Sequence, residues 1–312
     1  VYADSTNGWI PTSDITNALE PSAPATQKGI FAFGSSLNLS NLVSSSGVVA
    51  TDTTGVGTAR YSPGAATYGF DKAIFAYGRG GSGVVSMSNL VNNSGVVATD
   101  VSGVGTARGG PGACGYGGDK AIFAFGEAGS GNVSISNLVN NSGVIGADVT
   151  GVGTARYLGG AATYGGDKGI FAYGSTGSNV SISNLISNSG VVASDTTGVG
   201  TARSSTAAAS YGGDKAIVAY GTPASNEYMS TSNLISNSGV VASDVTGVGT
   251  ARYGPGACGY GGDKSIFAYG QPSGSETSVS NLVSNSGVVA ADVTGVGTVR
   301  TYPGGAGYSN SA

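Results

Sequence analysis

The sequence predicts an all-β protein, specifically a six-bladed β-propeller built from four-stranded antiparallel blades. The first observation is a unit that recurs six times at intervals of 44 to 49 residues, a period typical of stacked supersecondary units. Its lysine falls at Lys28, Lys72, Lys120, Lys168, Lys215 and Lys264. The second observation is composition: 57 of 312 residues are glycine, and the segments between them alternate Val, Ile, Ala, Ser, Thr, Tyr and Phe, which favours strands and turns.

The third observation concerns the two ends of the repeat region. The first unit begins with the lysine strand, whereas the chain ends on TVRTYPGGAGYSNSA, which matches only the strand that precedes the lysine in other units. We therefore expect residues 301–308 to pair beside residues 28–34 and to complete the first blade. The predicted organisation is an arm over residues 1–27 and a propeller over residues 28–312, with units starting near residues 28, 72, 120, 168, 215 and 264.

The stretch from Gly247 to Gly270, GVGTARYGPGACGYGGDKSIFAYG, illustrates the elements in order. GACGY is a strand of small residues suited to a crowded axis, GGD is a tight hairpin, and KSIFAYG is a second strand. A variable loop follows, then a third strand containing Ser-Asn-Leu, a Ser-Asn-Ser-Gly hairpin and a fourth strand, VVASDV or its equivalent. Four strands in each of six units favour a propeller. A β-solenoid is the alternative, because a solenoid tolerates any number of units.

The arm, residues 1–27, contains the only tryptophan, Trp9, and three of the nine prolines. One interpretation is an anchor that docks Trp9 on other proteins of an assembly. The other is a leader that lies on the surface or stays disordered.

The charged residues are concentrated in the repeat, because 12 of the 13 basic residues are its lysines and arginines, leaving only Arg79. An aspartate precedes each repeat arginine by eight residues, and an asparagine precedes each aspartate by eleven. A site for an asymmetric substrate should differ between blades, so we predict that these residues hold one blade to the next. They are Asp52, Arg60, Asp100, Arg108, Asp148, Arg156, Asp195, Arg203, Asp244, Arg252, Asp292 and Arg300.

Cys114 and Cys258 occupy the same position in the third and sixth units, where other units have alanine. These units lie opposite one another in a six-fold ring, and a disulfide requires Cα atoms within about 7 Å. We expect two buried thiols.

The units resemble kelch-type repeats, which also run from an arginine through a small-residue strand and an aromatic strand ending in glycine to a loop and two further strands. The resemblance covers residues 28–308, although the double glycine of that family is a single one here, as at Gly126, Gly174 and Gly270. The recurring phrase SNLVSNSGVVA-DVTGVGTAR also looks like tandem-repeat proteins of tailed phages, including marine ones. This likeness implies a virion component, on a virion surface or otherwise extracellular.

The composition disfavours catalysis, a cofactor or a metal site. Histidine, the commonest general base and metal ligand, is absent. The formal net charge of -4 disfavours nucleic-acid binding, and no apolar run is long enough for membrane insertion.

Sequence variation is concentrated in two segments of each unit, the loop after the second strand and the residues after the arginine. Antiparallel connectivity places both at one end of the blades. We predict a non-enzymatic display module that binds a host glycan or receptor there, with exposed tyrosines on which a neutral glycan can stack. The candidate ligand-binding residues are Tyr61, Arg79, Glu127, Tyr157, Tyr228, Tyr253 and Tyr302. The alternative is a structural decoration or filament subunit whose loops vary without a ligand.

Overall fold

The structure, a computed structural model, describes residues 2–4, 8–9, 26–223 and 227–311. All regular secondary structure in these residues is β, so the predicted all-β class is confirmed. Six three-stranded antiparallel sheets carry the repeat, and we number them 1 to 6 in the order of their lysines. In each sheet a middle strand separates an inner strand from an outer strand.

The strands have nearly constant bounds. The inner strands of sheets 1 to 6 are Gly304–Tyr308, Gly64–Tyr68, Gly112–Tyr116, Gly160–Tyr164, Ala207–Tyr211 and Gly256–Tyr260. The middle strands are Lys28–Ala32, Lys72–Ala76, Lys120–Ala124, Lys168–Ala172, Lys215–Gly221 and Lys264–Ala268. The outer strands are Ser40–Val43, Ser88–Val91, Ser136–Val139, Ser183–Ile186, Met229–Ile235 and Ser280–Val283.

Among the described residues, three short two-stranded pairings lie outside the six sheets. One joins Tyr2–Asp4 to Gly8–Trp9 in the arm. The other two lie in variable loops and pair Arg79–Gly80 with Gly83–Val84 and Glu127–Ala128 with Gly131–Asn132.

Sheet 1 combines strands from the two ends of the repeat region. Gly304–Tyr308 pairs antiparallel with Lys28–Ala32, from Gly304 opposite Ala32 to Tyr308 opposite Lys28. The same register joins inner and middle strands in the other sheets, for example Gly64 opposite Ala76. The C-terminal strand therefore takes the inner position of sheet 1.

The prediction of a continuous fourth strand is wrong. In sheet 1 the segment after the second hairpin makes only isolated bridges, Val43 to Val49 and Ser40 to Thr53. From the first bridge to the second, the outer strand advances by three residues and the opposite segment by four. One extra residue therefore bulges between the two bridges. The amide of Asn41 fills that bulge by donating hydrogen bonds to the Ala50 carbonyl and the Asp52 carboxylate, both at 2.9 Å.

The apolar core lies between neighbouring sheets. The inner strand of each sheet packs against the inner strands of the sheets before and after it, and that of sheet 1 packs against those of sheets 2 and 6. Aromatic residues at the ends of the middle strands meet edge to face across these gaps, for example Tyr77 and Phe123 at 5.5 Å. Radially packed antiparallel sheets of this kind are a β-propeller type of architecture.

The two cysteines are buried free thiols, as predicted. Each lies opposite a glycine of the next sheet: a Cβ built on Gly169 would come 2.5 Å from the Cys114 sulfur, and one on Gly29 would come 2.5 Å from that of Cys258. Other units have alanine at the cysteine position and alanine or serine at the glycine position, so the larger side chain is matched by a smaller partner.

The two ends of the sheets are different surfaces. The loop face carries the variable loops and the residues after the arginines, whereas the hairpin face carries the Gly-Gly-Asp and Ser-Asn-Ser-Gly turns. On the loop face one residue per sheet donates its backbone N–H to the carbonyl of the corresponding residue in another sheet. The bonds run from Ser62 to Tyr302, Tyr302 to Gly254, Gly254 to Ser205, Ser205 to Leu158, Leu158 to Gly110, and Gly110 back to Ser62.

A second series of bonds lies on the hairpin face. There the N–H of each first hairpin donates to the carbonyl before the lysine of another sheet. The pairs are Gly69 to Asp119, Gly117 to Asp167, Gly165 to Asp214, Gly212 to Asp263, Gly261 to Gln27, and Ser309 to Asp71. Both series thus include all six sheets.

Candidate functional site

The six repeat arginines are enclosed in polar and aromatic contacts, as Arg108 illustrates. Its guanidinium lies 3.9 Å from the centroid of the Tyr77 ring, in cation–π contact. It donates hydrogen bonds to the Phe125 carbonyl (2.8 Å), the Thr106 carbonyl (3.0 Å) and Asn137 Oδ1 (2.8 Å). Its side chain is fully buried. Equivalent stacking surrounds Arg60, Arg156, Arg203, Arg252 and Arg300.

The repeat aspartates bind the segments that lead to these arginines. Asp148 accepts hydrogen bonds from the Thr106 backbone (3.0 Å), the Thr106 hydroxyl (2.6 Å) and the Asn137 amide (2.9 Å). Burial acts to raise the pKa of Asp148, but these hydrogen bonds and the charge of Arg108 bring the pKa below its ordinary value. The pKa is lowered in the same way at Asp52, Asp100, Asp195, Asp244 and Asp292.

Each of these clusters joins consecutive sheets. Arg300 stacks on Tyr269 of sheet 6 and donates to Asn41 of sheet 1, and Asp52 lies 3.9 Å from the same guanidinium. Arg60 likewise stacks on Phe33 of sheet 1 and donates to Asn89 of sheet 2. Burial lowers the pKa of Arg60 to about 10, even though Asp100 opposes that shift. The asparagine is the partner that sequence reasoning missed, although its constant spacing from the aspartate was a visible signal.

The two variable segments of each unit lie side by side on the loop face. Backbone bridges join Tyr61 to Arg79 and Tyr157 to Ser175. Equivalent bridges join Gly109 to Glu127, Ser204 to Thr222, and Tyr253 to Gln271. Five of the seven candidate ligand-binding residues take part in these bridges, and the other two, Tyr228 and Tyr302, contact Tyr253 in the same region.

The prediction of exposed tyrosine rings is wrong, because all five are partly buried. Tyr228 stacks on Tyr253 with ring centroids 5.3 Å apart, and Tyr253 tilts against Tyr302 at 5.7 Å. The Tyr302 hydroxyl lies 2.8 Å from Ser205 Oγ, and burial raises the pKa of Tyr302 to about 12. Part of the predicted stacking surface is therefore used within the protein, because loops of neighbouring units cover one another.

Other variable residues also contact the next unit, each with a different chemistry. Arg79 forms an ion pair with Glu127. The Asn179 amide donates to the Thr222 carbonyl at 2.8 Å. Glu276 accepts hydrogen bonds from Ser35 and Thr301 in sheet 1.

Three cavities follow the line where the inner strands meet. The cavity at the loop face holds about 100 Å³ and is lined by Tyr302 and Leu158, and the central one holds about 120 Å³. The third opens on the hairpin face and holds about 580 Å³. Neighbouring cavities share lining residues, so they follow one another from face to face. The large one lies on the face that sequence reasoning treated as uniform.

The remaining expectations concern the arm, metals and membranes. Trp9 lies in a short hairpin strand, most of the arm is outside the described residues, and Thr26 lines the large cavity. In the described part of the chain, no three His, Cys, Asp or Glu side chains come close enough to hold a metal ion. Residues 26–223 and 227–311 contain no helix of the length and hydropathy required to cross a membrane.

Comparison with known proteins shows a solved structure with a similar fold. No protein-family model and no curated protein matches the chain. The solved structure of YjhT is similar, with a TM-score of 0.63 and 11% sequence identity. The likeness covers 84% of this chain and 95% of that one. At this level of identity it supports a shared fold and carries no information on activity.

Proposed function

We propose that the six sheets are the blades of a closed six-bladed propeller, and that this propeller is a non-catalytic binding module. Closure is supported by the pairing of Gly304–Tyr308 with Lys28–Ala32 and by the two series of backbone hydrogen bonds, each of which returns to the sheet where it starts. The contact of Arg300 with Asn41 joins the last sheet to the first in the same way as the equivalent contacts of four other arginines, Arg60, Arg108, Arg203 and Arg252.

The loop face is the proposed ligand-binding surface. The observation that carries this proposal is that variation between units is concentrated on one face, whereas the repeat arginines and aspartates bind one another's segments between sheets. The partner is a host glycan or receptor, and the setting is a virion or other extracellular surface, as the likeness to phage repeat proteins suggests. The described chain enters sheet 1 at the hairpin face, at residues 26 and 27, so we assign residues 1–27 to attachment to neighbouring proteins of the assembly.

An array of immobilised neutral and anionic glycans tests this function. The variant Tyr61→Ser/Tyr157→Ser should lose binding to the neutral glycans, which would stack on the exposed part of the two rings, while its melting temperature falls only slightly because both rings are only partly buried. The control Asn141→Ala/Asn237→Ala changes the hairpin face, where these amides donate to Asp119 and Asp214, and should bind normally. Absence of wild-type binding, or equal loss in both variants, would refute the loop-face proposal.

A structural subunit without a ligand is the second candidate. The contacts between consecutive loops, such as Arg79 with Glu127, favour it because they give the loop differences a role inside the protein. Imaging of the native assembly separates the two candidates. Regular contacts between copies through the loop face indicate a structural subunit, whereas a free loop face indicates display.

A further inference from the structure

The large cavity on the hairpin face has the dimensions of a small-molecule site. Its volume of about 580 Å³ lies within the range of about 300–1,000 Å³ that is usual for ligand pockets. It opens at the end opposite the variable loops, so an inference about it does not depend on the loop-face proposal.

Phe70, at the mouth of this cavity, differs from the residue found in other repeats and adopts an unfavourable backbone conformation. Four hairpins have glycine at this position, with φ between 79° and 81°, and Phe70 adopts the same left-handed conformation with φ of 69°. Such a backbone is unfavourable for a bulky residue. Phe33 and its equivalents offset this cost by stacking under buried arginines, but Phe70 is 43% exposed. A Cβ built on Gly118 of the next hairpin would lie 3.9 Å from this ring, which also lines the cavity, so Phe70 offers an open aromatic surface there.

The cavity wall presents hydrogen-bond acceptors. The Thr67 hydroxyl donates to the Gly307 carbonyl at 2.7 Å, the Ser210 hydroxyl to the Thr163 carbonyl at 2.7 Å, and the Thr163 hydroxyl to the Gly115 carbonyl at 3.2 Å. A hydroxyl has one proton and two lone pairs, so each of these groups has its proton engaged and can still accept, although Thr163 already accepts one hydrogen bond from the Gly115 N–H at 3.1 Å. The wall therefore suits a ligand that donates hydrogen bonds.

The charges on the surrounding hairpins nearly cancel. Five hairpins carry an aspartate paired with the following lysine, at distances from 2.6 to 3.4 Å. In sheet 1 the lysine follows Gln27, so six lysines face five aspartates and the formal sum is +1. This balance disfavours a cationic ligand, and the acceptor-rich wall disfavours an anionic one.

We infer that the hairpin-face cavity is a binding site for a neutral sugar residue of mono- or disaccharide size. The C–H face of the sugar stacks on the Phe70 ring. Its hydroxyls donate to Thr67, Thr163 and Ser210 in the wall and to Asp167 and Asp263 at the mouth, all of which line the cavity.

Saturation-transfer NMR with soluble glycosides tests the site. The probes are methyl glucoside, methyl galactoside, N-acetylglucosamine and lactose, each at about 5 mM because millimolar affinity is expected of so small a ligand. N-acetylneuraminate and glucosamine serve as anionic and cationic comparisons. At least one neutral probe should bind, and the charged ones should bind more weakly. Binding by no neutral probe would overturn the inference.

Phe70→Gly is the decisive variant because it restores the sequence of the other hairpins. It should weaken sugar binding at least tenfold while the melting temperature stays the same or rises, since the left-handed strain is removed. Phe70→Tyr should retain binding, as should Tyr157→Ser on the opposite face. A lower melting temperature for Phe70→Gly would show that the ring has a packing role, and unchanged binding would show that it does not contact the sugar. Either result overturns the proposed site, whereas the glycan-array result for the loop-face variants bears only on the loop face.

Discussion

Nearly every polar group of the Arg156 side chain makes a contact that stabilises the fold. Its guanidinium lies 4.1 Å from the centroid of the Phe125 ring and donates to the carbonyls of Tyr173 and Thr154. Asp195 lies 3.9 Å away. Arginine suits this position because a planar fork can stack and donate in several directions at once.

We predict that Arg156→Ala lowers the free energy of unfolding by about 3–5 kcal/mol, since it removes a large buried side chain and leaves the buried carbonyls of Tyr173 and Thr154 without their donor. Arg156→Lys should recover little of this loss, because an ammonium group cannot reproduce the fork or the stacking. Denaturant titration of the two variants measures the effect. Normal stability together with lost ligand binding would instead identify Arg156 as a binding residue.

The matching of cysteine with glycine gives a second prediction at this scale. Gly29→Ala should destabilise, because the added Cβ would lie 2.5 Å from the Cys258 sulfur. The double variant Gly29→Ala/Cys258→Ala should recover most of the stability, since it recreates the Ala73 and Ala306 pair between sheets 1 and 2. A double-mutant cycle on melting curves should give a coupling energy of about 1–3 kcal/mol. Additive effects would show that the two positions do not contact one another.

Among the elements, the segment from the outer strand to the next sheet depends most on charge. Its anchor is the carboxylate that binds the threonine before each arginine, as Asp100 binds Thr58. The pKa of this carboxylate is lowered in all six units.

These shifts predict the dependence of stability on acid. A folded-state pKa below the unfolded value of about 3.9 gives a contribution that is complete above that value and is lost as pH falls through the folded pKa. The melting temperature should therefore stay nearly constant from neutral pH down to about pH 5 and then fall steeply below about pH 4. Asp100→Asn should be less stable at pH 7 and show a shallower acid dependence. An equally steep acid transition in that variant would assign the effect to other carboxylates.

The elements also show which predictions can be made from sequence. Inner, middle and outer strands were predictable because alternation and turn residues are local properties. The fourth strand was not, because the bulge depends on the Asn41 side chain, whose amide also binds Asp52. The burial of Tyr253 could not be predicted either, since it depends on Tyr228 from the loop of the preceding sheet. Phe70 was visible as a departure from the repeat, but its significance requires the adjoining cavity.

For the whole molecule, the pairing of the C-terminal strand is the feature with the largest expected effect. Removal of residues 301–312 eliminates the strand beside Lys28–Ala32, the Tyr302 member of the loop-face hydrogen bonds and the Ser309 bond to Asp71. We expect the loss of several kcal/mol of stability, because a buried strand edge is left unpaired.

Calorimetry of the truncated chain measures this loss, and a synthetic peptide of residues 300–312 should restore part of it in trans. Truncation of residues 310–312 alone is the matched control and should have little effect. An unchanged melting temperature for the longer truncation would argue against a closed propeller.

The contacts of Cys114 with Gly169, and of Cys258 with Gly29, also affect how six similar sheets come to pack in the correct order. Six similar sheets could in principle pack in another order around the axis, or pack against the wrong sheet of a second chain. A sheet with cysteine fits only before a sheet with glycine, and a sheet with alanine placed before that glycine leaves a void. An unlike sheet placed at either position, from the same chain or from another, therefore produces a clash or a hole, so the volume match disfavours wrong neighbours at these two junctions.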